Sequence, residues 1–147
     1  MPSSIDTKIW LALKAKIATI ATTPTLPVYD PNAAIPAPVA GGNPAPFLII
    51  SDARNDNQRL SIGGTVSRRS GTLMLGVQWP IALAVTHTQL VQLAGSIADQ
   101  FPADTHMFHS GVCLRVTRDA GADQPYRDGV YHVAMIRVPW EVLYNRA

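Results

Sequence analysis

Between Arg69 and Phe101 the hydrophobic spacing changes from two residues to three and four, and that change limits what this chain can fold into. Leu73, Leu75, Val77 and Trp79 alternate with Thr72, Met74, Gly76 and Gln78, the pattern of a strand with one buried face. Past Trp79-Pro80, the residues Leu90, Leu93, Ala94, Ile97, Ala98 and Phe101 fall on one side of a helix. Thr86 and Gln89 stand at capping-box spacing and set the predicted helix start, and Pro102 marks its end. A half-buried strand that leads into an amphipathic helix calls for one layer of each.

The flanking segments fit the same plan. Ser4 to Thr22 reads as a first helix, with Ile5, Ile9, Leu13, Ile17 and Ile20 in a stripe that Trp10 widens, and Lys8, Lys14 and Lys16 turned to water. Residues 23–46 hold seven of the twelve prolines and Gly41-Gly42, which makes a regular central strand or helix improbable there. Such a stretch is either a surface excursion or an arm that orders on a neighbouring subunit. Phe47 to Ser51 is a short buried strand, Asp52 to Asn57 a polar turn, and Arg59 to Ile62 a second short strand. Gly63-Gly64 and Ser70-Gly71 are turn signals on either side of Thr65-Val66-Ser67. After the second helix, strands are expected at 112–117 and 130–138, separated by a hairpin loop at 119–128. Tyr131, Val133 and Met135 give the last strand a second apolar face, so it is expected to be covered on both sides.

This order predicts a single domain over 1–147 of α+β class, with a mostly antiparallel sheet and two main helices packed on it. The core is expected to contain Ile9, Leu13, Ile17, Leu73, Leu75, Val77, Leu93, Ile97, Phe101, Leu114 and Ile136. A net charge of +2 leaves no broad electrostatic footprint for nucleic acid or membrane. No apolar run approaches the length needed to cross a bilayer, and lysines interrupt the N-terminal stripe where a signal peptide would be continuous. The chain is therefore expected to remain in the cytoplasm where it is made.

Few constellations could carry chemistry. The single cysteine, Cys113, excludes an internal disulfide, and its place among Val112, Leu114 and Val116 suggests a small buried side chain. His106, His109 and Cys113 are metal-ligand types, but around a strand they need not converge, and no metal or cofactor is expected. Gly63-Gly64 near Arg68-Arg69 lacks the Lys-Ser/Thr ending of a phosphate loop. No nucleophile-elbow spacing occurs, and no catalytic residue is assigned. Arg54, Arg59, Arg68 and Arg69 supply four of the twelve basic residues within sixteen positions, beside Asp52 and Asp56. They form a solvated pair of turns, a subunit and partner interface, since arginine pairs bidentately with carboxylates, or a DNA contact, which the near-neutral charge supports least.

The pattern as a whole resembles the phage tail-terminator-like proteins. The residues that carry the likeness are the N-terminal helix, the Phe47-Leu-Ile-Ile strand after a proline-bearing segment, and the alternating strand from Arg69 through Gly71, Leu73, Leu75 and Val77 to Trp79-Pro80. The helix ending Leu93-Ala94, Ile97-Ala98-Asp99 and Phe101, and the last strand with Tyr131, Val133, Met135 and Arg137-Val138, complete it. The resemblance implies a non-enzymatic structural subunit, usually in a six-membered ring, that caps the tail tube, stops its elongation and offers the surface that joins the head. It implies as partners the chain itself, the tail tube protein and a head-tail connector or neck protein, with DNA at most passing through the lumen and no membrane. The place of action would be the virion, after assembly in the host cytoplasm. Another neck or head-tail adaptor protein is the alternative within that class, and a small-molecule-binding α+β domain the alternative outside it.

Overall fold

A computed structural model describes residues 5–22, 26–31, 46–53, 56–59, 66–81, 83, 85–109, 111–129 and 131–145. In chain order the elements are α1 (Ile5–Ile17), β1 (Val28–Tyr29), β2 (Phe47–Ala53), β3 (Asp56–Arg59), β4 (Val66–Pro80), α2 (His87–Ala98), β5 (His106–His109), β6 (Val112–Val116), β7 (Gly121–Ala122), β8 (Tyr126–Asp128) and β9 (Tyr131–Asn145). All nine strands belong to one sheet whose main path runs β1-β2-β4-β9-β6-β5. Its axis is the antiparallel pair of β4 and β9, two 15-residue strands in register from Val66↔Asn145 to Pro80↔Tyr131.

Shorter strands lie end to end along both sides of that pair. β2 and β3 follow one another down β4, from Phe47↔Gln78 to Arg59↔Ser67, with a register shift between Ile50 and Asp52. β6, β7 and β8 follow one another along β9, from Arg115↔Glu141 to Asp128↔Tyr131. The sheet is antiparallel except at β1, which runs parallel to β2, so it is mixed. β1 is only two residues long and lies between Pro27 and Pro31, with Leu48 N donating to Pro27 O at 2.9 Å. Proline suits an edge, where no ladder donor is needed. The rest of the proline-rich segment, 23–25 and 32–45, lies outside the described residues.

Four local expectations are corrected by this pairing. Ser70-Gly71 is not a turn, because pairing with Glu141 and Trp140 holds β4 straight through it. Within the expected turn at 52–57, residues 52–53 and 56–57 are strand, since β4 offers a partner on that side, while 54–55 lie outside the described residues. The 119–128 stretch is not an open loop but contributes β7 and β8 to β9, turning at Gly129 with φ 60°. The last strand continues past Val138 through Pro139 to Asn145. Pro139 is tolerated there for a geometric reason. Its carbonyl accepts from Thr117 N on the β6 side, and in an antiparallel strand a residue's N and O point the same way. The missing donor thus faces the gap between β6 and β7, and no bond to β4 is lost.

Both helices cover one face of the sheet. α1 buries Ile9, Ala12, Leu13 and Ile17, with Ile5, Trp10 and Ile20 packed beside them, and α2 buries Leu90, Leu93, Ala94, Ile97 and Ala98. They meet Leu73, Leu75 and Val77 of β4, Leu114 and Val116 of β6, and Ala134, Ile136, Val138, Trp140 and Val142 of β9. Every residue of the expected core is buried. The α2 cap forms as the sequence predicts. Gln89 N donates to Thr86 Oγ1 at 3.1 Å, and Thr86 N donates to Gln89 Oε1 at 2.9 Å. The Gln100 side chain ties the end of α2 to the chain after α1 through the Ala21 N–H and carbonyl.

Two stability effects should separate core from cap. Leu75→Ala, at a site with no exposure, should cost about 2–5 kcal/mol. Thr86→Ala should cost about 1 kcal/mol through the lost cap. Urea unfolding followed by circular dichroism measures both, and an unchanged midpoint for Leu75→Ala would refute its placement.

A candidate interaction surface

Period two divides the long strands into a helix-facing side and an outer side, and the two adjacent arginines fall on different sides. Arg69 shares the inner side with Leu73, and its guanidinium pairs with Asp6 in the first turn of α1. It ties the helix to the sheet. Arg68 turns outward, with Nε 3.1 Å from Glu141 Oε2.

Glu141 is the centre of an outward charge network. One carboxylate oxygen faces Arg68 and the other accepts from Arg115 Nη2, while Arg115 Nη1 donates to Asp104 Oδ1 at 2.7 Å. The Arg115 pKa is raised above its ordinary value, first by the hydrogen bond to Glu141 and then by that to Asp104. Asp104 itself sits in the left-handed region at φ 68°, a conformation aspartate tolerates in turns. Pairing brings these groups together from distant segments: Ser70↔Glu141, Arg115↔Glu141 and His106↔Arg115 form one row across the sheet.

On either side of this row the surface changes character. Toward the strand ends, Leu143 is 62% and Phe108 69% exposed, with Cys113 opposite Phe108 and also exposed. The expectation of a buried Cys113 is therefore corrected. Val112, Leu114 and Val116 point to the core, so Cys113 must point out with Arg115. His109 pairs with Val112 and falls on the opposite face from Cys113, so the two do not converge as ligands. Among the described residues, no group of three or more His, Cys, Asp or Glu could hold a metal.

In the other direction lies a groove of about 470 Å³ between Arg68, Thr72, Arg115, Arg118 and Glu141. It shares Thr72, Arg118 and Pro139 with a second groove of about 420 Å³, which the Asp123–Arg137 pair at 2.9 Å closes. Both open on the side the helices leave uncovered.

Of the remaining residues singled out from sequence, Asp52 lies in β2 opposite Met74, and Asp56 and Arg59 lie in β3 opposite Ser70 and Ser67. Arg54 lies outside the described residues. Glu141, Arg115, Asp104 and Arg118 were missed by sequence reasoning. The alternation of Arg115 with Leu114 and Val116 was their only local signal.

The network predicts an order of sensitivities. Glu141→Ala strands two guanidinium groups, one of them with a buried Nε, and should lower the melting temperature clearly. Asp104→Ala removes a carboxylate that is 74% exposed and should leave it nearly unchanged. Thermal unfolding of the two variants side by side checks the order.

No curated protein matches the chain. A solved structure superposes with a TM-score of 0.71 at 22% identity, covering 95% of this chain and 96% of that one, which establishes the shared fold. No helix among the described residues is long and apolar enough to cross a membrane. The model of the phage tail terminator protein family matches residues 8–140, from within α1 to the middle of β9, and the chain belongs to that family.

Proposed function

We propose that this structural, non-enzymatic phage tail protein acts as the terminator of the tail tube. In this reading, copies of the chain close into a hexameric ring on the finished tube, stop its elongation and present the surface that the head or neck joins. The observation that carries it is the family match across residues 8–140, which spans nearly the whole fold rather than one motif.

The surface supports the same reading. Most of the charged side chains that line its grooves are already paired with one another, and the exposed Phe108 and Leu143 stand beside an arginine–carboxylate network. That is the make-up of a protein contact, with apolar anchors and arginine beside a polar rim. Partners are then the chain itself, the tail tube protein and a neck protein, with DNA at most passing through the lumen, and the site of action is the virion. Arg68 belongs to the proposed contact surface, together with the β2–β3 edge that carries Asp52, Asp56 and Arg59 and the neighbouring Arg54. Arg69 serves within the subunit. The remainder of the proline-rich 23–46 segment is proposed as a further contact.

Native mass spectrometry of the purified chain tests this. A species of about six times 15.8 kDa, alone or on addition of tail tubes, is expected. Tubes that keep growing in the presence of the protein would overturn the capping role.

A further inference from the structure

Two features outside the charge network have no role within the subunit. The first is Arg118. The grooves' three carboxylates are all engaged: Glu141 with Arg68 and Arg115, Asp123 with Arg137, and Asp119 by accepting from Ala103 N at 2.7 Å. Arg118 lines both grooves, is exposed, and makes no ion pair among the described residues. Among the described residues of this face, Arg118 is therefore an uncompensated cation, across the Glu141 row from the exposed Phe108 and Leu143.

The second feature is the solvent side of α2. Solvated helix faces are ordinarily rich in charge, yet the sequence HTQLVQLAGSIA contains no Asp, Glu, Lys or Arg. Its exposed residues are His87, Thr88, Gln89, Val91, Gln92 and Ser96, and Val91 is 39% exposed. Val91, Gly95 and Asp99 follow one another at four-residue intervals and so form one stripe. A Cβ built on Gly95 meets nothing within 4 Å, so packing inside the subunit does not require the glycine. Asp99, at the end of this stripe, is exposed and makes no ion pair among the described residues.

These two surfaces lie on opposite sides of the subunit, because α2 packs its other side on the sheet whose outer face holds Arg118. A closed ring is heterologous and needs two different patches that complement each other on facing copies. We infer that the outer sheet face of one copy docks on the α2 face of the next, with Arg118 paired to the neighbour's Asp99 and Phe108 and Leu143 covered by its uncharged stripe. The depletion of charge on α2 then follows from desolvation at an interface core. The inference rests on the ring reading and assigns its contact. A second copy, rather than nucleic acid, is the occupant because the three carboxylates in the grooves oppose a polyanion, whereas a single Asp needs one cation.

Charge reversal tests this directly. Arg118→Asp and Asp99→Arg each place like charges together, which should weaken self-association at least about tenfold in native mass or light-scattering titrations. The double variant should restore it, as should mixing the two single variants, because each then supplies the charge the other lacks. Both sites are exposed, so circular dichroism and melting temperature should stay unchanged. Gly95→Gln, whose Cβ would meet nothing within 4 Å in the subunit, should also block assembly. If the wild type forms rings and Arg118→Asp forms them equally well, or if neither the double variant nor the mixture recovers, the docking assignment is wrong while the ring reading stands. A wild type that stays monomeric both alone and with tail tubes would remove the ring reading itself. Binding of duplex DNA that is lost on Arg118→Asp, with assembly intact, would instead assign the groove to nucleic acid.

Discussion

The pairing of β4 with β9 along their full 15-residue length is the interaction on which the rest of the structure depends. Every other strand except β1 and β5 attaches to one of the two, and those attach to β2 and β6. An antiparallel pair of that length sets one alternation for the whole sheet. A slip of one residue would turn Leu73, Leu75, Ile136 and Val138 out of the core and bring Arg68 and Glu141 into it. The apolar set therefore enforces the register, and the register places the charged groups.

The same alternation explains why the protein has two chemically different sides. Toward the helices, side chains from α1, α2 and five strands form a continuous apolar core, with Trp140 as its largest fully buried side chain. Arg69 on that side is taken up by Asp6 and serves to fasten α1. Away from the helices, Arg68, Glu141, Arg115 and Asp104 compensate one another at the surface. A paired network of this kind contributes little to stability for its cost in ordering long side chains. It holds guanidinium groups at fixed positions beside the exposed Phe108 and Leu143, the arrangement on which the proposed contact surface rests.

The two edges of the sheet differ as its two faces do. One open edge of the sheet is blunted by the two-residue, proline-flanked β1, a common protection against uncontrolled pairing. The opposite edge, β5, carries the exposed Phe108. The asymmetry gives the subunit distinguishable sides, which head-to-tail association needs and isologous pairing does not.

Local physics carried much of this protein in its sequence. The period-two run from Leu73 to Trp79, the three- and four-residue spacing of α2 and the Thr86–Gln89 cap each rest on contacts within a few residues. The elements they predict are present, and so is the core built from them. What lay beyond local reading was decided by strand partners far away in the chain. Ser70-Gly71 is strand because β9 and β3 grip it from both sides, and Pro139 is allowed because its missing donor faces a gap between β6 and β7. Residues 121–122 and 126–128 pair because β9 extends beside them. The candidate surface was the least accessible part. Arg68, Asp104, Arg115 and Glu141 are separated by up to 73 positions in the sequence. Their meeting is a property of sheet register, which couples distant segments through backbone hydrogen bonds and leaves no spacing for a motif to record.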